Sequence, residues 1–171
     1  MLVGMDPTGA GSTPVAVTLR PAVPDDIDLY YRLQQDPVAV WMAAFTSVEL
    51  TDREVFWSRW RRILSDPTIL VRTVLADGQP IGQVLKHEVD GEPEVSYWIA
   101  REHWGRGHAT EALRLLLAEF TDRPVSARVA QDNDGSLAVL RHNGFVVTGE
   151  DAAPAAARGE VVGEYVLTLA H

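Results

Sequence analysis

The chain has 171 residues, 46% of them hydrophobic and 23% charged, enough to bury the core of one soluble globular domain. A formal charge of −9 argues against a general nucleic-acid surface, and zero cysteines exclude a disulfide scaffold, a thiol nucleophile and any thiolate metal site. No apolar run is long enough to span a bilayer and residues 1–16 lack the pattern of a secretory signal, so no membrane partner is expected and the cytoplasm is the expected compartment.

Residues 1–14, rich in Gly, Pro, Thr and Ala without a period, read as a flexible leader to a single domain over 15–171. Alternation over Val15–Arg20 predicts a first strand. Pro24, Asp25 and Asp26 suit the first turn of a helix whose stripe is Ile27, Tyr30, Tyr31 and Leu33, with Pro37 stopping it. Val38–Val48 reads as irregular. Its large apolar groups suit a core, and Trp41, Met42 and Phe45 also suit the wall of a substrate cleft. Thr51-Asp52-Arg53-Glu54 has the form of a capping box, with Thr51 as the cap. Phe56, Trp60, Ile63 and Leu64 give the following helix its buried face, leaving Arg53, Arg59, Arg61 and Arg62 as a solvated one.

From Thr68 the period changes to two. Ile69–Leu75 and Ile81–His87 flank an Asp77-Gly78 turn, and a second turn over Asp90–Pro93 leads into Glu94–Ile99, giving an antiparallel meander. The meander runs into the most informative stretch, Tyr97 to Leu113. Gly105 and Gly107 permit close backbone approach, and Ala109, Ala112, Leu113, Leu116 and Phe120 then recur at helical spacing. The first turn of such a helix offers free N–H groups to an anion, and Arg101, His103, Arg106 and His108 surround it with basic groups. A plain tight turn is the competing reading. Neither a nucleotide-triphosphate loop nor a three-glycine dinucleotide fingerprint fits the spacing.

Val125–Ala130 alternates as a further strand, which a right-handed crossover makes the parallel neighbour of 94–100. Asn133-Asp134-Gly135-Ser136 opens a short helix that Gly144 closes. Val146–Thr148 and Val161–Leu169 complete the sheet around an Ala-rich loop, 149–159, which reads as mobile. The five histidines are dispersed and no metal site is expected.

Two separated motifs coincide with a known pattern. Trp104-Gly105-Arg106-Gly107-His108-Ala109-Thr110-Glu111-Ala112 resembles the acetyl-coenzyme A loop of the GCN5-related N-acetyltransferases, in the form typical of the branch with ribosomal-protein alanine N-acetyltransferases (RimJ/RimL-like). Asn133-x-x-Ser136-x-x-Val139-Leu140-x-x-Asn143-Gly144-Phe145 resembles the family's second motif. The resemblance spans Val17–Leu169 and implies an α/β (α+β) fold: a mixed, mostly antiparallel sheet of about seven strands, helices on both faces, and a splayed parallel strand pair.

The same resemblance implies an enzyme that moves an acetyl group from acetyl-CoA directly to a primary amine, of a protein N-terminus or a small molecule, releasing CoA. Gly105, Arg106, Gly107, His108 and Ala109 would hold the pyrophosphate through backbone N–H groups, with Thr110 adding a hydroxyl. Trp98, Ile99 and Ala100 would border the pantetheine arm, Asn133 would bond it, and Arg141 or His142 would approach the adenosine phosphates. The family's frequent tyrosine acid is Leu140 here, which cannot protonate a thiolate. Ser136, also a cofactor contact, is the proposed substitute. Ser96 stands where many branch members have glycine.

Glu94 is the first candidate for general base, with Tyr97 ordering a water and Glu88 and Glu164 as rivals. A backbone N–H near Ile99 is the candidate donor to the developing oxyanion. A non-catalytic acyl-CoA-binding domain is the alternative function, and a ligand-free structural domain a third. Many relatives pair through sheet edges, so a homodimer is plausible on the resemblance.

Overall fold

Two Asp-Gly hairpins set the geometry of the central sheet. The computed structural model describes residues 16–171, so the expected leader 1–14 lies outside the described residues. In both hairpins the Asp and Gly have positive φ (47° and 79° at Asp77-Gly78, 53° and 83° at Asp90-Gly91), the signature of a two-residue turn that matches strand twist. They join β2 (Leu70–Ala76), β3 (Gln79–Val89) and β4 (Glu92–Ile99). The second turn is two residues, shorter than the expected Asp90–Pro93, and it places Val89 opposite Glu92 and His87 opposite Glu94. With β1 (Val17–Pro21), β5 (Val125–Ala130), β6 (Val146–Ala155) and β7 (Glu160–Leu169), these strands form one seven-stranded sheet in the order β1-β2-β3-β4-β5-β7-β6. Its neighbours are antiparallel except β4 and β5, which are parallel as expected.

Helices cover both faces. On one, α4 (His108–Leu117) and α5 (Asp134–His142) bury Leu113, Leu116, Leu137 and Leu140 against Val84, Val95, Val125 and Leu167. On the other, α1 (Ile27–Leu33) and α3 (Arg53–Ser65) bring Ile27, Tyr30, Phe56 and Trp60 onto Val71. Each fully buried aliphatic or aromatic side chain of this kind contributes about 1.5–3 kcal/mol. A polar network fastens the second layer. The buried Asp26 accepts from Arg20 through both oxygens (2.6 and 2.7 Å), from the Val23 N–H (2.9 Å) and from Thr73 (2.8 Å), whose hydroxyl also meets Tyr30 at 2.6 Å.

Three expectations are corrected. Val38–Val48 is not irregular: Pro37–Ala43 is a helix, α2, with Pro37 at its first position and Asp36 accepting from the N–H groups of Val38 and Ala39. Proline thus starts a helix here, because its preset φ suits the first turn and Asp36 supplies the cap. The cap of α3 is Asp52, which accepts from Glu54 and Val55 N–H groups at 2.8 and 3.1 Å; Thr51 ends the preceding 3-10 turn. The loop 149–159 shrinks to the turn 156–159, because β6 continues to Ala155 paired with β7. Its Arg158 is anchored: Nε donates to the Trp41 carbonyl (2.9 Å), the guanidinium pairs with Asp132 (2.7 Å) and it lies 5.2 Å from the Trp41 ring centre.

Candidate active site

The parallel strands part almost at once. β4 and β5 are paired at a single position, Glu94 with Ser126, after which Val95–Ile99 and Ala127–Ala130 diverge. The Ala100 N–H is bound to the Ile81 carbonyl of β3 at 2.8 Å. Peptide groups alternate sides along a strand, so the N–H and C=O of Val95, Tyr97 and Ile99 point to the other edge, into the opening. The Ile99 carbonyl there accepts from the Trp104 indole N–H (2.8 Å), which draws the glycine turn onto the strand end. Gly82 on β3 permits the close approach of β3 to this end of β4, since a Cβ at that position would overlap the Trp98 carbonyl oxygen.

Gly105 and Gly107 have φ of 69° and 79°, the left-handed region that a side chain disfavours. Gly107 is the N-cap of α4 and no side chain caps the helix, so the N–H groups of His108, Ala109 and Thr110 precede the first helical bond, from Glu111 N–H to the Gly107 carbonyl (3.0 Å). Arg106 and Arg141 are exposed and make no ion pair among the described residues. The His108 ring is buried with neither nitrogen bonded, and burial together with nearby His103 and Arg106 holds it neutral by lowering its pKa. Its contribution to the turn is therefore its peptide group.

Across the opening stands α5. Asn133 caps it, with Oδ1 accepting from the Ser136 N–H (3.0 Å) and Nδ2 donating to the Met42 carbonyl (3.0 Å). Tyr97 donates its hydroxyl to the Ser136 carbonyl at 3.2 Å, linking β4 to α5 behind the gap. Burial pushes the Tyr97 phenol up to about 12, so it is an un-ionised donor. The Ser136 hydroxyl makes no bond among the described residues. Leu140 is core.

Glu94 lies on the opposite face of β4 from Tyr97, at the floor of a cleft of about 790 Å³ between α3, the segment after α2, and strands β3 and β4. Its side chain is 15% exposed, with His87 Nε2 and Arg128 Nε each 3.7 Å from a carboxylate oxygen. Burial raises the Glu94 pKa above the ordinary range; Arg128 opposes the shift and Glu164 reinforces it. His87, lowered by burial and by Arg59, stays neutral beside it.

The rival carboxylates are engaged elsewhere. Glu88 is exposed and faces Lys86 (3.6 Å), while Glu164 binds Arg128 at 2.9 Å. Of the three residues expected to line a substrate cleft, only Phe45 does; Trp41 covers Arg158, and Met42 is tied through its carbonyl to Asn133, while Trp98, expected beside the donor arm, lines the cleft as well.

Sequence reasoning missed Gln83 and His87, which share the cleft floor with Glu94. Their signal was present: counting back from a two-residue Asp90-Gly91 turn puts His87 directly across from Glu94, on the same strand face as Gln83. Among the described residues no group of three or more His, Asp or Glu side chains is placed to hold a metal ion.

Comparison with known proteins agrees with this architecture. The model of the acetyltransferase (GNAT) domain family matches residues 16–146. The chain is 30% identical over 146 residues to the Bacillus subtilis (strain 168) protein named "Putative ribosomal N-acetyltransferase YdaF", covering 78% of this chain and 80% of that one. Among solved structures, Mycobacterium smegmatis RimJ in complex with CoA-disulfide superposes with a TM-score of 0.71 at 22% identity, over 90% of this chain and 81% of RimJ. The microcin C7 self-immunity acetyltransferase MccE, in complex with acetyl-CoA and AMP, gives 0.75 at 17% identity, over 91% and 92%. The two structures share the fold; the family match and the YdaF relationship carry more, and on them the chain belongs to the GNAT acetyltransferase family.

Proposed function

We propose that residues 16–171 act as one acyl-CoA N-acyltransferase domain that transfers the acetyl group of acetyl-CoA directly to a primary amine, either a protein N-terminus or a small molecule. The observation that carries this is the parting of β4 from β5 after one paired position, beside a helix whose first N–H groups have no cap. Both features fit the donor: peptide groups of Val95, Tyr97 and Ile99 face a gap into which an amide-bearing arm can pair like a strand, and the α4 turn suits a pyrophosphate. Residues 105–110 would hold the phosphates, Trp98–Ala100 and the second amide hydrogen of Asn133 the arm, and Arg141 the adenosine end.

The donor supplies a thioester; the chain supplies position and proton transfer. Glu94 takes the proton of the incoming ammonium, directly or through water, from the cleft side of β4. The Ile99 N–H bonds the acetyl oxygen as charge builds on it. On the other side of the strand, Ser136 donates a proton to the departing sulfur, and Tyr97 is a positioning residue that holds α5 at the right distance. Acceptor and donor thus enter from opposite faces and meet at the opening, which makes attack effectively unimolecular. The lack of cysteine suits a reducing cytoplasm, and the edge strand β6, with Val146 and Val147 exposed, suits pairing with a second copy.

The test is release of free CoA against a panel of amines, with Glu94→Gln and Ser136→Ala as comparisons. The expected result is turnover by the wild type and a kcat reduced about 10²-fold or more in Glu94→Gln. CoA binding without turnover on any amine would instead indicate a non-catalytic acyl-CoA-binding domain.

A further inference from the structure

The cleft that leads to Glu94 has a charge distribution that the proposed reaction does not require. One face of α3 lines it, carrying Arg59, Arg62 and Ile63 at helical spacing, with Asp66 just past the helix end. The four arginines of this helix, expected to form one solvated surface, divide into two pairs. Arg53 binds Asp28 at 2.7 Å and Arg61 lies 5.2 Å from the Trp57 ring, both turned away from the cleft. Arg59 and Arg62 line the cleft, and neither guanidinium makes an ion pair among the described residues.

In a chain with 24 acidic and 15 basic residues carboxylates are in excess and seven of the fourteen arginines are ion-paired, yet no described carboxylate meets either of these two. The acidic group nearest in sequence, Asp66, is turned to the backbone and hydroxyl of Thr68 (2.9 and 2.7 Å). The positive field reaches the floor, since Arg59 contributes to keeping His87 neutral. The cleft is therefore bipolar: a carboxyl at the bottom, where an amine must go, and two unpaired guanidiniums on the wall.

Building on the reading of this site as an acetyltransferase, we propose that its acceptor is an amine that also carries an anionic group, held by Arg59 and Arg62 while the amine reaches Glu94. A guanidinium offers a planar, two-pronged donor set to a carboxylate, and the two are on one helix face, so a single acidic group can engage either or both. The shared chemistry, amine plus carboxylate, is found both in an acidic peptide N-terminus and in a small amino acid.

The experiment compares acid and amide twins. Ser-Glu-Glu-amide is measured against Ser-Gln-Gln-amide, and β-alanine against β-alaninamide, by CoA release and by calorimetric binding to the CoA-loaded protein. The expected result is a KM, or a Kd, at least ten-fold lower for the acid member of one pair, and the pair that responds identifies peptide or small molecule as the source. Arg59→Gln with Arg62→Gln should erase that difference by raising the KM or Kd of the acid member to that of its amide twin. In the wild type the preference should also shrink between low and high salt, a readout that does not depend on the variant folding. Equal use of both members of both pairs, with turnover intact, overturns this inference and leaves the acetyltransferase reading standing. Acid-selective binding that needs the arginines but gives no turnover supports the inference and overturns that reading instead.

Discussion

Two carboxylates illustrate how burial and partners set opposite behaviour. Asp26 is desolvated, but the bonds from Arg20, Val23 and Thr73 outweigh that and hold its pKa below the ordinary value. A depressed folded pKa stabilises the protein above the unfolded pKa and is lost as pH falls through the folded one. Asp26→Asn should therefore cost about 2–3 kcal/mol at neutral pH, read from denaturant unfolding, and the gap from wild type should close in acid. Glu94 has the reverse sign. Its folded pKa is raised, so the protein loses stability as pH rises from the ordinary glutamate range through the folded value. Glu94→Gln should raise Tm at neutral pH while lowering kcat, a pairing that marks a site where function is kept at the expense of stability. The acid limb of kcat/KM should fall above the ordinary glutamate range and vanish in this variant.

At the scale of elements, the sequence made the turns and the motif helices readable because their signals are local. Asp-Gly pairs specify hairpins, and Gly105-x-Gly107 before an amphipathic run specifies a helix with a bare N-terminus. α2 was hidden because its apolar residues have no polar face to reveal a period, although Asp36-Pro37 was a helix start in plain view. The β6 extension was hidden because alanine and proline carry no strand signal; pairing with β7 and the anchoring of Arg158 decide it. Contacts such as Tyr97 with Ser136 join residues 39 apart, and no local pattern encodes them.

Two substitutions test the elements around the opening. Gly107→Ala should cost about 1–2 kcal/mol from its left-handed φ and weaken acetyl-CoA binding, measured by calorimetry. Gly82→Ala should cost about 1–3 kcal/mol, because its Cβ would displace the Trp98 carbonyl, and should lower kcat/KM along with Tm.

For the whole molecule, the sheet works as two half-sheets hinged at Glu94 and Ser126, with a helical layer on each face closing one side of the gap. The face of α4 and α5 offers N–H groups and Arg106 and Arg141; the face of α3 offers the cleft with Glu94, Arg59 and Arg62. The net negative charge of the chain leaves these two positive regions as local exceptions. The most direct test is a crystal structure of the protein with acetyl-CoA. The account predicts the pyrophosphate within hydrogen-bond distance of the N–H groups of residues 105–110, with the pantetheine arm paired to β4 between Val95 and Ile99. A pyrophosphate bound elsewhere, or an arm outside the gap, would contradict it.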